Sequence, residues 1–310
     1  MPAPDVNLEV GSGTHAVQTA EIMARFEPMI EKFNPDIVVV YGDVNSTVAA
    51  ALVCSKLGVP TAHVEAGLRS RDRSMPEEIN RIVTDALSAL LLTPSADANA
   101  NLAAEGVPGE CVHLVGNVMI DTLVRLLPRT DPDGVRERLG LSRPFALVTL
   151  HRPSNVDDAE TLRRLLGALV EISEVVDVVF PVHPRTRERI TAGGLTIPRG
   201  LQLIEPLGYL EFLSLQQRAA IVITDSGGIQ EETTFLGVPC LTVRDNTERP
   251  ITVTQGTNVL VGRSADRLRE EALRILGQKR PSTAPPPLWD GHAGDRIAEL
   301  LVAFDGGQAR

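Results

Sequence analysis

Residues 221–243 read IVITDSGGIQEETTFLGVPCLTV, and this stretch decides the fold. Ile221–Thr224 is a short continuous apolar run, not an alternating one, which is how a strand reads when helices cover both faces of a parallel sheet. Ile229–Leu236 follows with helical spacing, and Gly237 stands just past its last periodic residue, a helix stop signal. Cys240–Val243 then resumes the strand pattern. The order is strand, glycine turn, helix, strand.

The same alternation continues outward in both directions. Strand candidates are Ile37–Tyr41, Thr61–Val64, Leu90–Thr93, Val112–Val115, Phe145–Thr149, Val178–Val182, Leu201–Ile204 and Val259–Val261. Between them lie helix-like segments such as Ser46–Leu57 (stopped by Gly58), Pro76–Ala89 and Ala159–Glu171. This alternation predicts an α/β class with parallel sheets. A Pro-, Asp- and Arg-rich stretch, Pro128–Pro144, divides the chain into domains at 1–138 and 139–290, with a closing helix in 291–310 around Ala293–Phe304. The chain opens on Pro2, Pro4 and the helix-like run Val17–Lys32, where a doubly wound domain usually opens on a strand.

The 310 residues suit two domains. A formal net charge of −10 excludes a broad nucleic-acid surface, which needs clustered Lys and Arg, but leaves room for a small anionic ligand. Cys54, Cys111 and Cys240 are isolated, so they read as buried reduced thiols and not as a disulfide or zinc set. No apolar run approaches the ~18 residues of a membrane span, and no signal pattern opens the chain, so the reading is a cytoplasmic protein with no membrane partner.

In open parallel sheets ligands bind beyond the carboxyl ends of the strands, so the residues there are the candidates. Ser226-Gly227-Gly228 follows a strand and opens a helix. Its free N–H groups suit phosphate oxygens, though the same string also serves as an ordinary tight turn. Glu232 lies on the first turn or so of that helix and can accept from ribose hydroxyls. Asp43 and Glu65 follow neighbouring strands and can converge. Glu77 and Glu78 follow Pro76 in a first helical turn, where carboxylates also serve as dipole partners. His151 opens a loop, as a general acid or base or as an unremarkable loop histidine. Arg244 and Arg249 fit a diphosphate or their neighbours Asp245 and Glu248. Two such polar edges facing each other would make an interdomain cleft.

Taken together, GDVNST (42–47), HVEAGLRS (63–70), MPEEINR (75–81), LVGNVMIDTL (114–123), LHRPSNVDD (150–158), FPVHPRT (180–186), TDSGGIQEE (224–232) and LGVPCLTVRDNTERP (236–250) resemble the non-hydrolysing UDP-N-acetylglucosamine 2-epimerases, in the family's order and over most of the chain. The resemblance implies two Rossmann-like domains in the glycosyltransferase B-type arrangement and a reversible interconversion of UDP-GlcNAc and UDP-ManNAc through UDP elimination and re-addition. It implies no metal or redox cofactor, a homodimer, and a place in cell-surface polysaccharide biosynthesis. Asp43, Glu65, Glu77 and His151 match its acid–base positions. Arg69, Arg81, Arg152, Leu207, Phe212, Ser226, Gly227, Gly228, Glu232 and Arg249 match its substrate contacts. A hydrolysing epimerase, an epimerase of a modified UDP-sugar, a glycosyltransferase of the same fold and an inactive nucleotide-binding form are the alternatives. Two departures stand out. The match starts near Pro4, so the expectation is a first domain lacking the family's opening two strand–helix units. Pro153 also stands where the family commonly has a second arginine.

Overall fold

The structure, a computed structural model, describes residues 3–192, 197–280 and 283–304. Their elements are α1 (His15–Phe33), β1 (Val38–Tyr41), α2 (Asn45–Leu57), β2 (Thr61–Val64), α3 (Pro76–Leu87), β3 (Leu90–Thr93), α4 (Ala96–Ala104), β4 (Val112–Leu114), α5 (Val118–Leu126), α6 (Pro132–Arg138), β5 (Phe145–Thr149), α7 (Pro153–Val156), α8 (Ala159–Ile172), β6 (Asp177–Pro181), α9 (Pro184–Ala192), β7 (Leu201–Ile204), α10 (Tyr209–Arg218), β8 (Ile221–Thr224), α11 (Gly227–Leu236), β9 (Cys240–Thr242), α12 (Ile251–Thr254), β10 (Asn258–Leu260), α13 (Ala265–Leu276) and α14 (Ala293–Ala303). They form two compact units, Met1–Val118 with His292–Arg310, and Met119–Gly291. The α/β class with two parallel sheets, expected from the sequence, is what the structure shows.

In the first unit four parallel strands run in the order β1-β2-β3-β4. Their apolar runs are continuous because both faces are covered. On β3, Leu90 and Leu92 pack with Ala62, Val64 and Val115 against Ile297 of α14. Leu91, one residue out of phase, packs with Ala66 and Leu102 of α4 on the other face. Each such side chain contributes roughly 1.5–3 kcal/mol when fully buried. Helix α2 ends as its sequence predicts, on Gly58 in the left-handed region at φ 71°.

The second unit has six parallel strands in the order β10-β9-β8-β5-β6-β7. On β5, Ala146 and Val148 pack with Leu165 and Leu169 of α8, while Phe145 and Leu147 pack with Leu215 of α10 and Val135 of α6. The unit begins at Met119. Most of α5 and all of α6, assigned to the first domain from the sequence, therefore belong to the second unit. α6 packs on α10 through the bond from Asp131 N–H to Ser214 Oγ, 3.0 Å. Helix α14, read as a closing helix, belongs to the first unit, and residues 305–310 lie outside the described residues.

Cys54 and Cys240 are buried as expected, and burial pushes the Cys240 thiol up to about 11. Cys111 is only half-buried, because it sits at the mouth of β4. Among the described residues no helix is long and apolar enough to cross a membrane.

Candidate functional site

The strand ends of each unit gather its ionisable groups. In the first, β1 runs into Gly42, whose φ of 65° turns the chain into Asp43. A Cβ on Gly42 would lie 3.5 Å from Glu65 Oε2, so the Glu65 carboxylate lies against this turn. Glu65 follows β2 at φ 73°, a left-handed conformation uncommon for a residue with a side chain. Such strain persists only where surrounding structure imposes it, and it clusters at functional sites. The Glu65 carboxylate thus lies at the turn that leads into Asp43, the residue with which it was expected to converge.

Asp43 pairs through Oδ2 with Arg81, and its carbonyl oxygen accepts from Asn80 Nδ2 at 2.8 Å. Arg81 is buried and also donates to Glu78 Oε2 at 2.7 Å. Glu78 accepts from the N–H of Ser70 at 2.9 Å and of Arg71 at 2.8 Å. Burial alone would raise its carboxyl; the Arg81 guanidinium and these two N–H groups outweigh that and hold it below the ordinary range. Glu77, the residue expected in the acid–base set, is half-buried on the first turn of α3. The bonded network to Asp43 runs through Glu78 instead.

Arg69 is also buried, paired with Asp85 at 2.7 Å and with Glu105 at 2.7 Å. Burial works against its charge, but these two carboxylates hold it more firmly protonated than a free arginine. Arg69 and Arg81, matched to substrate contacts from the sequence, thus have guanidinium groups engaged by carboxylates inside the unit.

In the second unit Asp225 follows β8 and is fully buried. It accepts from the backbone N–H of His151 at 3.1 Å and of Arg152 at 3.0 Å, from Asn155 Nδ2 at 2.9 Å, and faces His151 Nδ1 at 2.8 Å. Burial opposes its ionisation, yet the His151 ring, Asn155 and the Arg152 N–H prevail and hold the carboxyl below its usual range. An ionised carboxylate only accepts, so the Nδ1 facing it carries hydrogen, and Nε2 is the nitrogen left for proton transfer. The His151 side chain is 61% exposed. Arg152 Nε donates to the Asp225 carbonyl oxygen at 3.0 Å.

One residue further on, Ser226 stands at the N-cap of α11 without a side-chain cap bond, so the first-turn N–H groups are not closed off by its hydroxyl. A Cβ on Gly227 would lie 2.6 Å from Arg249 Nη1 and 2.8 Å from Glu248 Oε1; only glycine lets this arginine sit over the helix start. A Cβ on Gly228 would make only an ordinary contact, with Met119 at 3.7 Å. Arg249 is held by Glu248 and by Glu231 at 2.8 Å, and Arg244 pairs with Glu248 at 2.7 Å. Burial opposes the Glu248 charge, but Arg249 and Arg244 together drive its carboxyl far below the ordinary range. Asp245 faces Arg263 instead, at 3.3 Å.

Glu232 is 2% exposed and sits on the second turn of α11, not the first. It accepts from Tyr209 Oη at 2.7 Å, and burial raises its carboxyl. The Tyr209 phenol is raised in turn by burial and by the Glu232 charge. Leu207 precedes α10 and Phe212 lies on its first turn; both pack, partly buried, against the cluster of Phe145, Leu147 and Val222.

The model of a family described as UDP-N-acetylglucosamine 2-epimerase matches residues 1–302. A UDP-N-acetylglucosamine 2-epimerase of Methanocaldococcus jannaschii is 43% identical, the match covering 97% of this chain and 85% of that protein. A UDP-2,3-diacetamido-2,3-dideoxy-D-glucuronate 2-epimerase of Pseudomonas aeruginosa is 45% identical, covering 97% and 84%. The crystal structure of the M. jannaschii UDP-GlcNAc 2-epimerase in complex with UDP-GlcNAc and UDP superposes with a TM-score of 0.86 at 42% identity, covering 98% of this chain and 86% of that one.

Proposed function

The chain belongs to the UDP-N-acetylglucosamine 2-epimerase family, an isomerase family, and from that premise we propose that it reversibly interconverts UDP-GlcNAc and UDP-ManNAc. The observation that carries this reading is the uncapped start of α11 with Arg249 fixed over Gly227. A helix N-terminus with glycines and an arginine is a site for a diphosphate. Glu232 beside it suits the ribose hydroxyls, and Leu207 and Phe212 an apolar base.

Carbon 2 of a sugar is weakly acidic, so its proton is hard to remove unless a bond breaks elsewhere. In the proposed reaction a base takes the carbon 2 proton, the C–H electron pair forms the carbon 1–carbon 2 double bond, and the carbon 1–oxygen bond breaks with its pair leaving on UDP. UDP then adds back at carbon 1 while a proton returns to carbon 2 from the opposite face. Asp43, Glu65, Glu77 and His151 are the proposed acid–base set. The contacts of Asp43 with Arg81 and of His151 with Asp225 support this, because each fixes the orientation of a proton-transfer group. Arg249 and the α11 N–H groups stabilise the departing diphosphate.

Proton NMR with UDP-GlcNAc in deuterated water tests the reading. UDP-ManNAc with deuterium at carbon 2 of both sugars is the expected result; free ManNAc would move the assignment to a hydrolysing epimerase. Similarity to the Pseudomonas enzyme favours one second reading, a modified UDP-sugar as substrate. That reading requires turnover of a diacetamido uronic acid nucleotide in preference to UDP-GlcNAc.

A further inference from the structure

His63 and Asp85 form a buried pair in the first unit, and the proposed chemistry gives neither a role. His63 on β2 is 0% exposed and Asp85 on α3 is 3% exposed. The ring reaches in two directions, with Nδ1 2.6 Å from Asp85 Oδ1 and Nε2 2.8 Å from the carbonyl oxygen of Gly42. A carbonyl only accepts, so Nε2 carries hydrogen. Asp85 Oδ2 accepts from the Gly67 N–H at 3.1 Å and lies 2.7 Å from Arg69 Nη1. With acceptors at both ends of the imidazole, a hydrogen also lies in the short Nδ1–Oδ1 contact. The chain of bonds is then complete, from the Gly42 carbonyl through His63 and Asp85 to the Gly67 N–H.

Its two ends are the turns that matter. Gly42 immediately precedes Asp43, and Gly67 closes the turn that begins at Glu65, with positive φ at Gly42, Glu65 and Gly67 alike. Gly67 is pinned from its far side as well: a Cβ there would lie 2.6 Å from the Ala98 carbonyl oxygen of α4. The strand ladder reaches only the start of each turn, where the Gly42 N–H bonds the Val64 carbonyl oxygen at 3.1 Å and the Glu65 N–H bonds that of Leu92 at 3.0 Å. The His63–Asp85 pair adds the tie that runs from Gly42 on to Gly67.

Resting on the epimerase reading, we propose that His63 and Asp85 are positioning residues: a hydrogen-bonded strut that fixes the Asp43 turn and the Glu65 turn in register without touching the sugar. A pair serving only core stability would lower the melting temperature without a selective loss of turnover. The distinction is measurable, because a misplacement of about 1 Å lowers turnover about 100-fold while leaving binding by groups elsewhere intact.

The experiment compares wild type with Asp85→Ala, Asp85→Asn and His63→Gln for kcat, KM, UDP affinity by calorimetry and melting temperature. Asp85→Ala cuts the strut and is expected to lower kcat about 100-fold with UDP affinity held within about threefold, since the nucleotide contacts lie in the second unit. Asp85→Asn can still accept from Gly67 and Arg69 and donate to His63 Nδ1, so it is expected to restore at least tenfold of that loss. If Asp85→Ala does not fold, His63→Gln carries the test. It keeps a donor for Gly42 but loses the Asp85 contact, and a folded variant with wild-type kcat overturns the proposal. Equal loss in Asp85→Ala and Asp85→Asn also overturns it. A wild type that exchanges no carbon 2 proton overturns the epimerase reading and this inference with it, whereas an active wild type with indifferent variants overturns the strut alone.

Discussion

Glu232 and Asp225 are both buried carboxyls of the second unit, and their environments push them in opposite directions. Glu232 is raised by burial, so the folded state binds its proton more tightly than the unfolded chain does. Its ionisation therefore destabilises the fold as pH rises through and beyond the ordinary carboxylate range. Glu232→Gln is expected to raise the melting temperature at neutral pH, measured by calorimetry, while weakening UDP binding about tenfold if the carboxylate holds ribose. Asp225 is depressed; its bonds stabilise the fold fully above the ordinary carboxylate range and are lost as pH falls through it. Asp225→Asn should accordingly flatten the acid limb of a melting-temperature profile between about pH 5 and pH 3. The same variant should lower kcat more than it raises KM, because the Arg152 N–H and Asn155 claim the single amide oxygen and the NH2 then faces His151 Nδ1, reversing its tautomer. The individual groups at strand ends were legible in the sequence because a parallel sheet delivers them to one edge. Their partners were not. Asp225 meets His151 across 74 positions, and Asp85 meets His63 across 22, separations at which no local pattern speaks. Which of the adjacent carboxylates Glu77 and Glu78 bonds to Arg81 likewise depends on how α3 is turned, which the sequence leaves open.

At the scale of elements, two glycines separate conformational from steric need. Gly58 ends α2 at φ 71° with nothing within 4 Å of a Cβ position, so Gly58→Ala meets no clash. It pays only the left-handed backbone, about 1 kcal/mol, readable in urea unfolding. Gly227 lacks that backbone demand but faces Arg249 and Glu248. Gly227→Ala is expected to dislodge Arg249 and weaken UDP binding about tenfold or more; unchanged affinity in calorimetry would remove Arg249 from the diphosphate site. The strand pattern was legible almost to the residue, with Thr61–Val64, Leu90–Thr93, Phe145–Thr149, Leu201–Ile204 and Ile221–Thr224 found as read. Strands buried on both faces show as unbroken apolar runs, whatever packs on them. The Pro- and Arg-rich stretch looked like a domain boundary for the opposite reason. Pro132 opens α6, and composition does not tell a helix start from a linker.

Over the whole chain, the first unit is built from two separated pieces, and its core cluster is completed by Ile297 of α14. Arg296 adds a bond from Nη1 to the Val115 carbonyl oxygen at 2.9 Å. Ile297→Ala is expected to cost about 2–5 kcal/mol, seen as faster amide hydrogen exchange on β2 and β3 with β5 and β8 little affected. The closing position of α14 was legible from its amphipathic run. The unit it joins was not, since nothing in a helix records which sheet it covers.

This discontinuity has a consequence for how the protein is made. A ribosome emits residues 119–291 before it reaches α14, a delay of roughly ten to thirty seconds at about 5–20 residues per second. The second unit can thus be finished on the nascent chain while the half bearing Asp43 and Glu65 still has a bare apolar sheet face. During synthesis, the window for misassembly or chaperone capture belongs to the first-made half, which is the last to close.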